Sequence, residues 1–76
     1  MNRIVNQFFI DDINDSIKQA NAAYQENNMK LFVAHSYGIM GMLRTLYDLD
    51  IITAEIHLKA SDKAKRGEYL DITDFS

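Results

Sequence analysis

An all-α fold, a helical hairpin closed by a third helix, is what the sequence predicts, and three observations predict it. Proline is absent and glycine occurs only at Gly38, Gly41 and Gly67, so long helices form easily and tight β-hairpins do not. Apolar residues recur at alternating spacings of three and four over most of the chain, the repeat that places side chains on one face of a helix. Two stretches of turn-forming residues, Asn27-Asn28 and Asp48-Leu49-Asp50, divide that repeat into three segments.

The first segment carries Ile10, Ile13, Ile17, Ala20 and Tyr24 on one face and is expected to be helical from about Asp11 to Asn27. Asp11, Asp12 and Asp15 suit a helix N-terminus, with Asp12 as the expected cap. Residues 2–10 are ambiguous. As a backward continuation of the helix they would bury Val5 and Phe9 and turn Ile4 and Phe8 outward; a separate short helix or a strand is the alternative.

The second segment, Met29 to Leu49, keeps the rhythm with Phe32, His35, Ile39, Met42, Leu46 and Leu49. Val33, Met40, Leu43 and Tyr47 widen its apolar surface well beyond a single stripe, and a helix apolar over most of its circumference is covered on more than one side. Ala34, Gly38 and Gly41 form a strip of small residues, matched in the first helix by Ser16, Ala20 and Ala23. Glycine inside a helix costs roughly 1 kcal/mol relative to alanine, so close backbone approach is the expected compensation.

The third helix is expected to start from a cap at Asp50 or Thr53, to bury Ile52, Ile56, Ala60 and Ala64, and to end near Arg66. Lys63, Lys65 and Arg66 suit the negative end of the helix dipole, and Gly67 suits a left-handed C-cap. Beyond it, Leu70, Ile72 and Phe75 fall at roughly alternate positions in a tail, residues 68–76, that reads as a short strand, an extended arm packed on a neighbour, or a frayed end.

With 76 residues the chain has room for one core, and a domain of this size buries only about 60–65% of the surface exposed by its unfolded form. There is no cysteine to form a staple, which leaves oligomerisation as the common reinforcement and gives no sign of an oxidising compartment. Apolar content of 47% with 25% charged residues is the profile of a folded globule. No apolar run has the length of a signal peptide core or a bilayer span, so a soluble, cytoplasmic protein is expected. A net charge of −3 opposes any whole-surface attraction to nucleic acid.

Several patterns that carry chemistry elsewhere are not expected to carry it here. Val33-Ala34-His35-Ser36-Tyr37-Gly38 looks like the nucleophile elbow of the α/β-hydrolases with alanine for the first glycine. That elbow needs a preceding strand and catalytic partners from a large sheet, and a helical Ser36 beside small packing residues is expected instead. His35 lies on the apolar stripe and is expected as a hydrogen-bonded interior histidine, with a titrating group at an interface as the alternative; His57 is expected to be exposed. Two histidines 22 positions apart, without cysteine, make a poor metal set. Asp48-x-Asp50 begins like a calcium loop but has Thr53 and Lys59 where glycine and glutamate are required. Asp11, Asp12 and Asp15 need no ion as a solvated helix start, and no phosphate-cradling glycine loop occurs. No catalytic residue, metal or cofactor is assigned.

Two surfaces remain. Phe8, Met40, Leu43, Tyr47 and Leu58 represent more apolar surface than a three-helix monomer readily covers and are assigned to protein association. Lys59, Lys63, Lys65 and Arg66 lie on or near one stripe of the third helix and resemble the outline of a helix-turn-helix, but Glu55 and Asp62 stand four residues before Lys59 and Arg66, in the favourable order for ion pairs. The expected function is a non-enzymatic adaptor, small regulator or inhibitor that binds a partner protein and dimerises into a bundle. A nucleic-acid-binding regulator using the basic third helix is the alternative.

Overall fold

The computed structural model describes residues 5–76, and three helices and a short terminal turn account for most of them. Helix α1 spans Gln7–Gln25, α2 spans Met29–Asp48 and α3 spans Ala54–Lys65; a 3-10 turn follows at Ile72–Phe75. No strand occurs among the described residues. No helix among them is long and apolar enough to cross a membrane.

Helix α1 begins four residues before the expected position. Its cap is Asn6, whose side chain accepts from the Phe8 amide at 2.7 Å, and not Asp12. The acidic trio therefore lies beyond the first turn, solvent-exposed, with Asp11 accepting from the Gln7 side chain. The backward continuation holds only to Gln7, because Asn6 is extended and Val5 precedes the helix; Val5 is nevertheless buried, Phe9 packs against the core, and Phe8 points to solvent. Ile4 lies outside the described residues. At the other end the buried stripe passes through Ala23, while Tyr24 is 60% exposed and tilts against Phe32. At 100° per residue that single step moves the contact line off the tyrosine.

All three helices end in the same way. Asn27, Asp50 and Gly67 each take a positive φ, of 57°, 58° and 77°. In each case the next amide reaches back to a carbonyl in the last helical turn: Asn28 to Ala23, Ile51 to Leu46, and Glu68 to Lys63. These left-handed caps satisfy carbonyls that the helix leaves unpaired and reverse the chain within two residues. Only glycine adopts this conformation without strain; asparagine and aspartate are the side chains that tolerate it best. Asn28 and Thr53 then cap the following helices through their side chains.

The core is a single cluster. Ile10, Ile13, Ile17 and Ala20 of α1 meet Ile39, Leu43 and Leu46 of α2, and Ile52, Ala60 and Ala64 close over them. The expected close approach of Ala34, Gly38 and Gly41 does not occur within the chain. All three are exposed, and a Cβ on either glycine would meet nothing within 4 Å. The strip lies on the flank of α2 turned away from Ile39, whereas its counterparts Ala20 and Ala23 in α1 are buried.

The tail is an arm packed on its own chain. Two asparagines seven positions apart on α1 hold it by the backbone. The Asn21 Nδ2 donates to the Gly67 carbonyl at 2.9 Å; Asn14 donates to the Leu70 carbonyl at 2.7 Å and accepts from the Leu70 amide at 2.8 Å. Seven helical residues rise about 10.5 Å, and three extended residues cover about 10 Å, so the spacing of the two amides fits the stretch of chain they grip. Leu70 and Phe75 are thereby buried, and Ile72 is exposed. A reciprocal side-chain cap between Asp71 and Asp74 closes the final turn.

Candidate interaction surface

Helix α2 packs one side and leaves much of the rest open. Ile39, Leu43 and Leu46 are buried, while Met29, Leu31, Val33, Tyr37, Tyr47 and Leu49 are exposed. For Met29, Val33 and Tyr37, toward the Asn27-Asn28 turn, the cause is the relative length of the elements. At 1.5 Å per residue the 20 residues of α2 extend about 30 Å, while the 12 residues of α3 extend about 18 Å. The half of the hairpin near α3 is a three-layer structure, and the half around the Asn27-Asn28 turn is two helices with no third helix over them.

The five residues assigned to association do not form one patch. Phe8 is 78% and Leu58 66% exposed, as expected. Tyr47 is partly exposed; its ring lies 5.3 Å from that of His57 and beneath the Arg44 guanidinium. His57 is consequently half-buried, not exposed. Met40 is half-buried and lines a groove. Leu43 is a correction: at 0% exposure it sits at the centre of the chain's own core and offers no surface to a partner. Its place on the wheel beside Ile39 and Leu46 makes it core once the hairpin forms.

The groove encloses about 310 Å³ between α1, α2 and the end of α3. Ile17, Ala20, Phe32, Ile39 and Met40 make its apolar lining, with Val33 and Tyr37 on the α2 side and Lys65 and Gly67 on the α3 side. Neither the sequence periodicity nor the residue types revealed it, because it depends on where α3 ends relative to α2. Ser36 also lines the groove. It lies inside α2, so the strand-turn-helix geometry of a nucleophile elbow is absent at this serine. His35, the preceding residue, is half-buried, and its imidazole has no hydrogen-bond partner among the described residues, in contrast to the expected hydrogen-bonded interior histidine.

The basic residues of α3 are mostly neutralised. Lys59 pairs with Glu55 at 3.0 Å, the pair expected from their spacing. Lys63 pairs with Asp74 of the terminal turn at 3.0 Å. Arg66 turns to Glu68 at 2.6 Å, and not to Asp62 as the spacing suggests; that hydrogen bond raises the guanidinium pKa further above its usual value. Arg66 is the residue that ends α3, so its side chain leaves the helix direction that an Asp62 pair requires. Lys65 alone of the four has no ion pair among the described residues, and it stands at the groove. No cluster of three or more potential metal ligands occurs among the described residues.

Comparison with protein families, with curated proteins and with solved structures finds no match to this chain.

Proposed function

We propose that this chain is a non-enzymatic protein-interaction module, a cytoplasmic adaptor or small regulator or inhibitor that acts by binding a partner protein through an apolar helical surface, with a second copy of itself as one such partner. The observation that carries this reading is the exposure of Tyr24, Met29, Val33 and Tyr37 around one end of the hairpin, with Phe8, Leu31 and Leu58 exposed elsewhere. Scattered single apolar residues on a surface need no explanation. A group of them on two adjoining helices is the kind of patch that marks an association site, where aromatics and methionine are enriched.

The nucleic-acid reading has less support, because Lys59, Lys63 and Arg66 each face a carboxylate and a phosphate would have to displace it. Sedimentation velocity across a concentration series tests self-association. The expected result is a concentration-dependent dimer that Tyr37→Ser with Val33→Ser shifts to monomer; a monomer at every concentration rules out the second copy as partner. Crosslinking in cells followed by mass spectrometry then tests for another protein, and crosslinks unaffected by the same substitutions would count against this surface.

A further inference from the structure

We infer that the groove beside Lys65 seats one amphipathic helix of a partner protein, with its apolar face against Ile17, Phe32, Val33, Tyr37 and Met40 and an acidic side chain paired with the Lys65 ammonium. The inference rests on the interaction-module reading and specifies the chemistry of the partner. Three features of the site lead to it.

First, the groove opens where the third layer ends. Helix α3 covers the hairpin over about 18 Å and stops, leaving about 12 Å of α2 without a third layer. The surface beyond the stop remains apolar, through Val33, Tyr37 and Met29. A groove between two helices accepts a third by the same side-chain packing that seats α3, and an amphipathic helix in an apolar groove is a recurring mode of peptide recognition. A strand would find no sheet edge there, since the walls are helices whose backbone hydrogen bonds are already made.

Second, the charge at the groove selects an acidic partner. Of the four cations of α3, Lys59, Lys63 and Arg66 are paired with Glu55, Asp74 and Glu68, while Lys65 makes no ion pair among the described residues and lines the groove itself. A carboxylate meeting it beside apolar walls is screened less than one on open surface.

Third, the wall is held in place before anything binds. Asn21 and Gly67, both lining residues, are joined by a hydrogen bond at 2.9 Å. The wall they form therefore need not be ordered on binding, which removes one cost of association.

The test uses the intact chain as bait for a displayed library of short helical peptides with randomised apolar and charged positions. Enriched peptides should carry apolar residues at helical spacing and an Asp or Glu on one flank, and should shift the amide resonances of the groove residues. Lys65→Glu should weaken them about tenfold, and exchanging the peptide acid for lysine should restore binding to that variant. Lys59→Glu, on the same helix but away from the groove, should leave affinity unchanged. The inference is overturned if no peptide is enriched, if the enriched peptides shift residues elsewhere, or if Lys65→Glu and Lys59→Glu have the same effect. It is also overturned if dodecanoate occupies the groove and no peptide does, which would make the site a pocket for an amphiphilic carboxylate. Peptides bound instead around Phe8 or Leu58 would refute the groove as the site while leaving the interaction-module reading intact.

Discussion

The two halves of the helical hairpin have similar apolar content and very different fates. Near α3, Ile10, Ile13, Ile17 and Leu43 are at or below 1% exposure. Around the Asn27-Asn28 turn, Tyr24, Val33 and Tyr37 stand largely in water, Tyr37 at 75%. The helices are the same two and the caps are satisfied at both ends, so secondary structure does not explain the difference. What differs is the third layer: α3 and the terminal arm cover one half and stop at the edge of the other, where Gly67 meets Asn21 and Lys65 borders the groove. A core therefore depends on how many elements meet at a place, and an apolar helix face alone only offers to join one.

The sharpest way to break this contrast is a pair of truncations. Leu43→Ala should cost about 2–5 kcal/mol, as large-to-small changes in packed cores do. Val33→Ala, on the open half, should stay within about 0.5 kcal/mol. Chemical denaturation measures both, and equal losses would mean that the open half is packed in solution.

Next in size is the seam between α3 and the arm. A Cβ at Gly67 would lie 2.6 Å from the Asn21 Oδ1, and the residue has φ of 77°. Gly67→Ala should lose about 1–2 kcal/mol from the left-handed backbone alone, with a further loss as Asn21 is displaced. Thermal unfolding should show it, and an unchanged midpoint would remove this seam from the account of the covered half.

Asn14→Ala leaves both the Leu70 amide and its carbonyl without their side-chain partner and should cost about 1–3 kcal/mol. Hydrogen exchange is the more specific readout. The Leu70 amide should lose protection while those around Leu31 and Val33 exchange as before.

Ser61 should move stability the other way. It is buried and its hydroxyl has no hydrogen-bond partner among the described residues, so Ser61→Ala should stabilise by about 1 kcal/mol by removing an unsatisfied group. A destabilised variant would point to a water bound in the covered half.

The smallest effect concerns acid. Hydrogen bonds from the Thr73 hydroxyl and amide hold the Asp71 carboxyl below its ordinary pKa. A depressed carboxyl contributes its full stability above the unfolded value of about 3.9 and loses it as pH falls through the lower folded value. Asp71→Asn should flatten the acid limb of the stability profile slightly, and an unaltered limb would show that the terminal turn is not closed by this group.

Much of the fold was legible because it is local. The face of Ile10, Ile13, Ile17 and Ala20, the third-helix face of Ile52, Ile56, Ala60 and Ala64, the Thr53 cap and the Gly67 end all follow from spacing and residue type. The dense acidic signal at Asp11, Asp12 and Asp15 drew the expected cap to Asp12, while the actual cap, Asn6, is a single residue with no such local pattern around it. Asn27 and Asp50 carry the same left-handed ends as Gly67, but their side chains serve many kinds of turn. The candidate site was less legible. On a helix as apolar as α2, periodicity does not show which residues a third helix will reach, so Leu43 was placed at the surface and the groove beside Met40 went unseen. The grip of Asn14 on Leu70 joins residues 56 positions apart, and no local pattern records it.

Asn14 and Asn21 hold the returning arm by carbonyl and amide groups that every residue except proline carries in full. Between the gripped residues, Glu68 and Tyr69 project into solvent. At Tyr69 that bridge is indifferent to the side chain it bears: mutation can repaint the position with new charge or aliphatic character while the anchorage beneath stays the same, whereas Glu68 also carries the ion pair to Arg66.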